Sequence, residues 1–163
     1  LIVGPNVVNM PYDKKYLINH KFVDLIIVPS QWVETAYKQY TNKNIFKWYA
    51  GVDMDYWIPK NNINRDKILI YVKTRELDLI HEIQNFLNKK GYPYIEIYYG
   101  SYNKKDFKRK LNQAYLSIFI SISESQGIAL LESWSMNVPT LVWKSNAKIL
   151  DNIVYDSTSS LRA

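Results

Sequence analysis

The chain has 163 residues, enough for one ordinary domain or pieces of two. Its hydrophobic content of 47% supports a sizeable core, yet no apolar run approaches the roughly 18–20 residues of a membrane span. The absence of cysteine rules out disulfides and thiolate metal sites, leaves nothing that points to secretion, and makes a cytoplasmic setting the default. The formal charge of +6 fits either an anionic partner or the Lys-, Asn-, Ile- and Tyr-rich usage of an AT-rich genome.

Leu1 to Val8 reads as a buried strand broken at Gly4-Pro5; its apolar start is too short, and lacks the basic residues, for a signal peptide. Because it opens in mid-strand, and residues 158–163 stop without a closing element, the sequence reads as a fragment cut at both ends. Asp13 to His20 predicts a short helix. Leu25 to Val28, entered through Asp24, is an unbroken apolar run of the kind found in buried parallel strands. Pro29-Ser30 ends it, with Ser30 placed to N-cap a helix from Gln31 to Tyr40. Asn44 to Trp48 is the next strand. Ala50 to Pro59 has no clear period and Lys60 to Asp66 is polar apart from Ile63, so a domain boundary is expected near residue 58.

The alternation then restarts. Lys67 to Val72 is a strand, and Glu76 to Lys90 a helix carrying Leu79, Ile80, Ile83, Phe86 and Leu87 at helical spacing, stopped by Gly91. Tyr94 to Tyr99 is a strand, Lys104 to Tyr115 a basic helix, Leu116 to Ile120 a strand, and Val138 to Trp143 another. Strands spaced by helices imply an α/β class with doubly wound parallel sheets.

The stretch from Ser121 to Glu132 carries the chemistry. Glu124 and Glu132 stand eight positions apart, with Gly127 and an apolar helix start between them. If the helix begins near Gln126, Glu132 lies about 9 Å along its axis at ~1.5 Å per residue, while Glu124 stays in the preceding loop. Amides around Gly127, Ile128 and Ala129 favour an anion at the helix start. Ionised carboxylates accept hydrogen bonds well, which suits a pair of sugar hydroxyls. The competing reading makes both glutamates ordinary solvated charges.

Glu124 to Glu132, continuing through Asn137-Val138-Pro139, resembles the E-x7-E region of GT-B glycosyltransferases, particularly the retaining group that uses nucleotide-diphosphate sugars. Asn137 stands where that family has a glycine before Val-Pro, and asparagine tolerates the left-handed turn. Val28-Pro29-Ser30-Gln31-Trp32 resembles the stretch closing the family's N-terminal domain, and Gly51-Val52-Asp53 with Trp57 and Pro59 resembles its interdomain linker. The resemblance implies a Rossmann-like GT-B architecture with an incomplete N-terminal domain. Residues 1–58 would be the end of the acceptor-side domain plus linker, and residues 59–163 an incomplete donor-binding domain. It implies that Glu132 binds the nucleotide ribose, that Glu124 contacts the donor sugar at the reacting centre, and that amides of Gly127, Ile128 and Ala129 meet donor sugar or phosphate. A basic pair that grips the diphosphate follows the first strand of the family's donor domain; Lys73 and Arg75 stand there, without the family's usual spacing.

The activity implied is transfer of a sugar from a nucleotide sugar to a hydroxyl acceptor of unknown identity, with retention, needing no cofactor and no metal. The chain as it stands, lacking most of an acceptor cleft, is expected to be inactive. His20 and His81 have no partners at ligand spacing. The run Lys104, Lys105, Lys108, Arg109, Lys110 is either the wet face of a helix or a contact to acceptor phosphates or anionic lipid, which leaves peripheral membrane association open. Tyr98, Tyr99 and Trp143 fall in strands, where core packing accounts for them, so a nucleic-acid partner is not expected. Other GT-B chemistry, an epimerase or a phosphorylase, and a non-enzymatic basic, aromatic module for RNA or glycan remain as alternatives.

Overall fold

The structure is a computed structural model that describes residues 1–4, 15–74, 77–144, 148–150 and 153–155. Its contacts divide the chain into two compact units. Both main sheets are entirely parallel, so the class is α/β. Among the described residues no helix is long and apolar enough to cross a membrane.

The first unit holds residues 1–4 and 15–50 together with Ser123–Gly127. Its elements are β1 (Ile2–Val3), α1 (Lys15–Ile18), β2 (Leu25–Val28), α2 (Gln31–Lys38) and β3 (Asn44–Lys47), with sheet order β1-β2-β3. Alternation along β2 sends Ile26 and Val28 into the core. There they meet Trp32, Val33, Ala36 and Tyr37, which form one stripe of α2 because they recur at helical spacing. Ser30 occupies the N-cap position in extended backbone, but its hydroxyl makes no capping bond, so the expected cap is positional only. Charge serves the first turn instead: Glu34 pairs with Lys38 at 2.7 Å and Lys47 at 3.3 Å. An antiparallel pair, β8 (Lys148–Leu150) and β9 (Ile153–Tyr155), also belongs to this unit.

The second unit comprises residues 51–74 and 77–122 with Ile128–Lys144. It contains β4 (Lys67–Lys73), α3 (Leu77–Lys90), β5 (Tyr94–Tyr98), α4 (Lys104–Leu111), β6 (Ala114–Ser121), α5 (Ile128–Ser135) and β7 (Thr140–Val142), with sheet order β5-β4-β6-β7. Register pairs Ile68 with Leu116, Ile70 with Ile118 and Val72 with Ile120, and this face packs on Ile80 and Leu87 of α3. The opposite face presents Tyr71, stacked on Phe119 with centroids 4.7 Å apart, and meets Phe107 of α4. Helices therefore cover both faces, a Rossmann-like arrangement.

Two local stops were legible in the residues. Gly91 adopts φ 70 after α3, and its own N–H and that of Tyr92 close onto Asn88 and Leu87 carbonyls, satisfying the last turn. Asn137 adopts φ 55 after α5, where Asn137 and Val138 N–H groups reach the carbonyls of Trp134 and Ser133. The basic helix is shorter than expected. Ala114 and Tyr115 belong to β6, because ladder pairing of Ala114 with Lys67 outweighs the helical spacing of residues 107, 111 and 114. The final strand is also shorter, since Val138 and Pro139 serve the turn around Asn137.

Candidate functional site

In the second unit β4 runs to β5 through α3 on one face, and β5 returns to β6 through α4 on the other. The chain thus diverges on either side of β4 and β6, and in open parallel sheets ligands bind at the strand C-terminal ends of such a point. Lys73 and Ser121 are the paired residues at those ends. Beside them a cleft of about 310 Å³ opens, lined by Val72, Lys73, Thr74, Tyr98 and Tyr99. Lys73 Nζ lies 4.5 Å from the centroid of the Tyr99 ring, whose quadrupole helps hold this cation. Arg75, the other half of the expected basic pair, lies outside the described residues.

The helix α5 begins at Ile128, not near Gln126, so Glu132 stands about 6 Å along its axis at ~1.5 Å per residue. Gly127 precedes it at φ 68, a left-handed conformation that delays the helix start. Ile128 and Ala129 occupy the first turn, whose N–H groups have no acceptor within the helix. Ile128 is exposed and Ala129 half-buried. Leu130, Ser133 and Met136 are fully buried, and they carry Glu132 into the protein with them at 9% exposure. Among the described residues its carboxylate forms no hydrogen bond and no ion pair. Burial therefore pushes its carboxyl up to about 7, with the charge of Lys104 pulling the other way. A half-ionised carboxyl without a protein partner is suited to accept hydrogen bonds from ligand hydroxyls. At the far end of the helix Arg65 clamps the turn, donating to the carbonyls of Met136 at 2.9 Å and Asn137 at 3.1 Å.

Glu124 belongs with the first unit and is also buried, at 9% exposure. Its backbone carbonyl accepts a 2.8 Å hydrogen bond from the indole N–H of Trp32 on α2. The expected site residues thus fall into two groups: Lys73, Ile128, Ala129 and Glu132 in the second unit, Glu124 and Gly127 in the first.

Tyr98, Tyr99 and Trp143 are not core residues: they are 43%, 60% and 46% exposed. Tyr98 donates to Glu96 at 2.8 Å, and both tyrosines line the Lys73 cleft. The strand pattern hid this because their positions end β5, where alternation no longer implies burial. Thr74 and Lys104 were missed as well; a cation in an amphipathic run carries no sequence mark of the carboxyl it influences. Among the described residues no three His, Asp or Glu side chains gather where a metal ion would sit. No protein-family model matches the chain, and no curated protein matches it.

Proposed function

We propose that this chain is the donor-binding part, with the end of the acceptor-side part, of a GT-B glycosyltransferase. It would move a sugar from a nucleotide-diphosphate donor to a hydroxyl acceptor, with retention. The observation that carries the reading is the buried carboxyl of Glu132, without a partner among the described residues and four residues into a helix that follows a parallel strand. Leaving a charge there without a partner is costly, and two ribose hydroxyls would offset the cost by donating to it. Lys73, at the end of the neighbouring strand β4, would meet the diphosphate, where negative charge grows on the leaving group. The first-turn amides of Ile128 and Ala129 would add partial positive charge, and the left-handed Gly127 would let donor phosphate or sugar approach closely. Glu124 would contact the sugar near the reacting carbon. The exposed ring of Tyr99 beside Lys73 offers a surface on which a nucleobase could stack.

A thermal-shift screen of nucleoside diphosphates and their sugars tests this. One base should raise the melting temperature, and Glu132→Ala should remove the rise. A screen in which no nucleotide moves the transition contradicts the reading.

A further inference from the structure

A second concave site lies away from the strand ends, on the outer side of α4. It is a cleft of about 410 Å³, and among its walls are Lys60, Lys105, Lys108, Arg109, Tyr56 and Asn112. Among the described residues four cations line it and no carboxylate does. Lys105, Lys108, Arg109 and Asn112 recur at helical spacing and so share one face of α4, opposite the buried Phe107 and Leu111. That face alone would be an ordinary wet stripe. What makes it concave is the segment before β4, which brings in Tyr56 and Lys60.

Arg109 is paired with Asp106, but the hydrogen bonds that fix the rest of the wall do not consume its charge. Lys60 N–H donates to Asn112 Oδ1 at 2.9 Å, and Asn112 Nδ2 donates to the Lys108 carbonyl at 3.0 Å. Lys108 Nζ donates to the Tyr56 carbonyl and lies 4.7 Å from that residue's ring centroid, so both its partners are neutral. Among the described residues the ammonium groups of Lys60 and Lys105 have no partner. Asp106, the only carboxylate on α4, is already held by Arg109 at 2.5 Å and Lys110 at 3.4 Å. The cleft thus keeps a surplus of positive charge in a volume that suits a small molecule. Assembling like charges in one hollow opposes folding by mutual repulsion, and a bound polyanion relieves that repulsion.

We infer that this cleft binds a small phosphorylated molecule through its phosphate groups, gripped by Lys60 and Lys105 with Lys108 and Arg109 behind them. The site is separate from Lys73 and Glu132 and does not rest on the donor reading. Phosphate of this kind reaches a protein either free or on a lipid headgroup, and the test separates the two.

Isothermal titration with pyrophosphate is compared for the wild type, Lys60→Gln/Lys105→Gln and Lys73→Gln. Both lysines of the double variant are exposed, so the fold is retained. The expected result is saturable binding weakened at least tenfold in the double variant and retained in Lys73→Gln. Co-sedimentation with phosphatidylglycerol vesicles then identifies the source. Binding to vesicles that pyrophosphate displaces, and that the double variant lacks, assigns the phosphate to a lipid headgroup; no vesicle binding assigns it to a free metabolite. Pyrophosphate binding that is unchanged in the double variant, or lost only in Lys73→Gln, overturns the inference. So does binding of an RNA oligonucleotide with none of pyrophosphate.

Discussion

The indole N–H of Trp32 donates to the backbone carbonyl of Glu124 at 2.8 Å, a bond that spans 92 positions of sequence. Trp32 is 7% exposed, so the bond is shielded from water. The loop that carries Glu124 is thereby tied to α2 through its main chain. Trp32→Phe keeps an aromatic side chain but removes the donor to this buried carbonyl. It should cost about 1–3 kcal/mol of stability, seen as a lower urea midpoint with an unchanged slope. An unchanged midpoint would mean that water replaces the indole at no cost.

Glu132 gives the stability of the protein a pH dependence of unusual sign for a carboxylate. It holds its proton up to about 7 in the fold, against an ordinary value of 4.5. Between those two values the folded state binds a proton that the unfolded chain has released, so stability falls as pH rises through this window. The full loss is on the order of 3 kcal/mol and is complete above pH 7. Glu132→Gln removes it. Urea titrations of the two proteins should coincide near pH 4.5 and diverge towards pH 8, with the variant more stable. A constant difference at all pH values would show that burial does not perturb this carboxyl.

On the proposed donor reading Glu124 would meet the sugar rather than the nucleotide, and the two roles separate in binding. Glu124→Gln should leave the affinity for the nucleoside diphosphate unchanged while reducing the affinity for its sugar conjugate roughly ten- to 150-fold, from the loss of one charged hydrogen bond worth about 1.5–3 kcal/mol. Equal losses for both ligands, measured by calorimetry, would place Glu124 on the nucleotide instead.

Asn137 ends α5 in the left-handed region at φ 55. Asn137→Gly should be neutral or slightly stabilising there. Asn137→Val, with a branched Cβ facing the next carbonyl, should cost about 1–2 kcal/mol. Thermal melts of the two variants check this. If valine were tolerated as well as glycine, the turn would have another conformation in solution.

Much of the architecture was written in the residues because alternation and punctuation agreed. The runs Leu25 to Val28 and Lys67 to Val72 read as strands and pair in parallel, and Gly91 and Asn137 marked helix ends by backbone conformation. Where local and long-range preferences competed, the sequence misled. Ala114 continued the helical spacing of Phe107 and Leu111, yet pairing with β4 claimed it for a strand. Tyr98 and Tyr99 obeyed strand composition, yet their place at the end of β5 left them exposed beside Lys73. The apolar helix start before Glu132 was readable in the residues, but the absence of a partner among the described residues depends on the whole surround, which spacing does not encode.

If the chain binds a nucleotide donor as proposed, Glu132 meets its ribose in the ionised form. Donation from ribose hydroxyls favours the carboxylate, so binding near pH 6.5 must expel a proton. Calorimetric titration of the nucleotide-diphosphate sugar, whose phosphates do not titrate in this range, in two buffers of different ionisation enthalpy reads that proton directly. The account predicts net proton release in the wild type, affinity that weakens by up to tenfold per unit as pH drops below about 7, and loss of both effects in Glu132→Gln. Binding that releases no proton, and that is equally tight in Glu132→Gln, would contradict it.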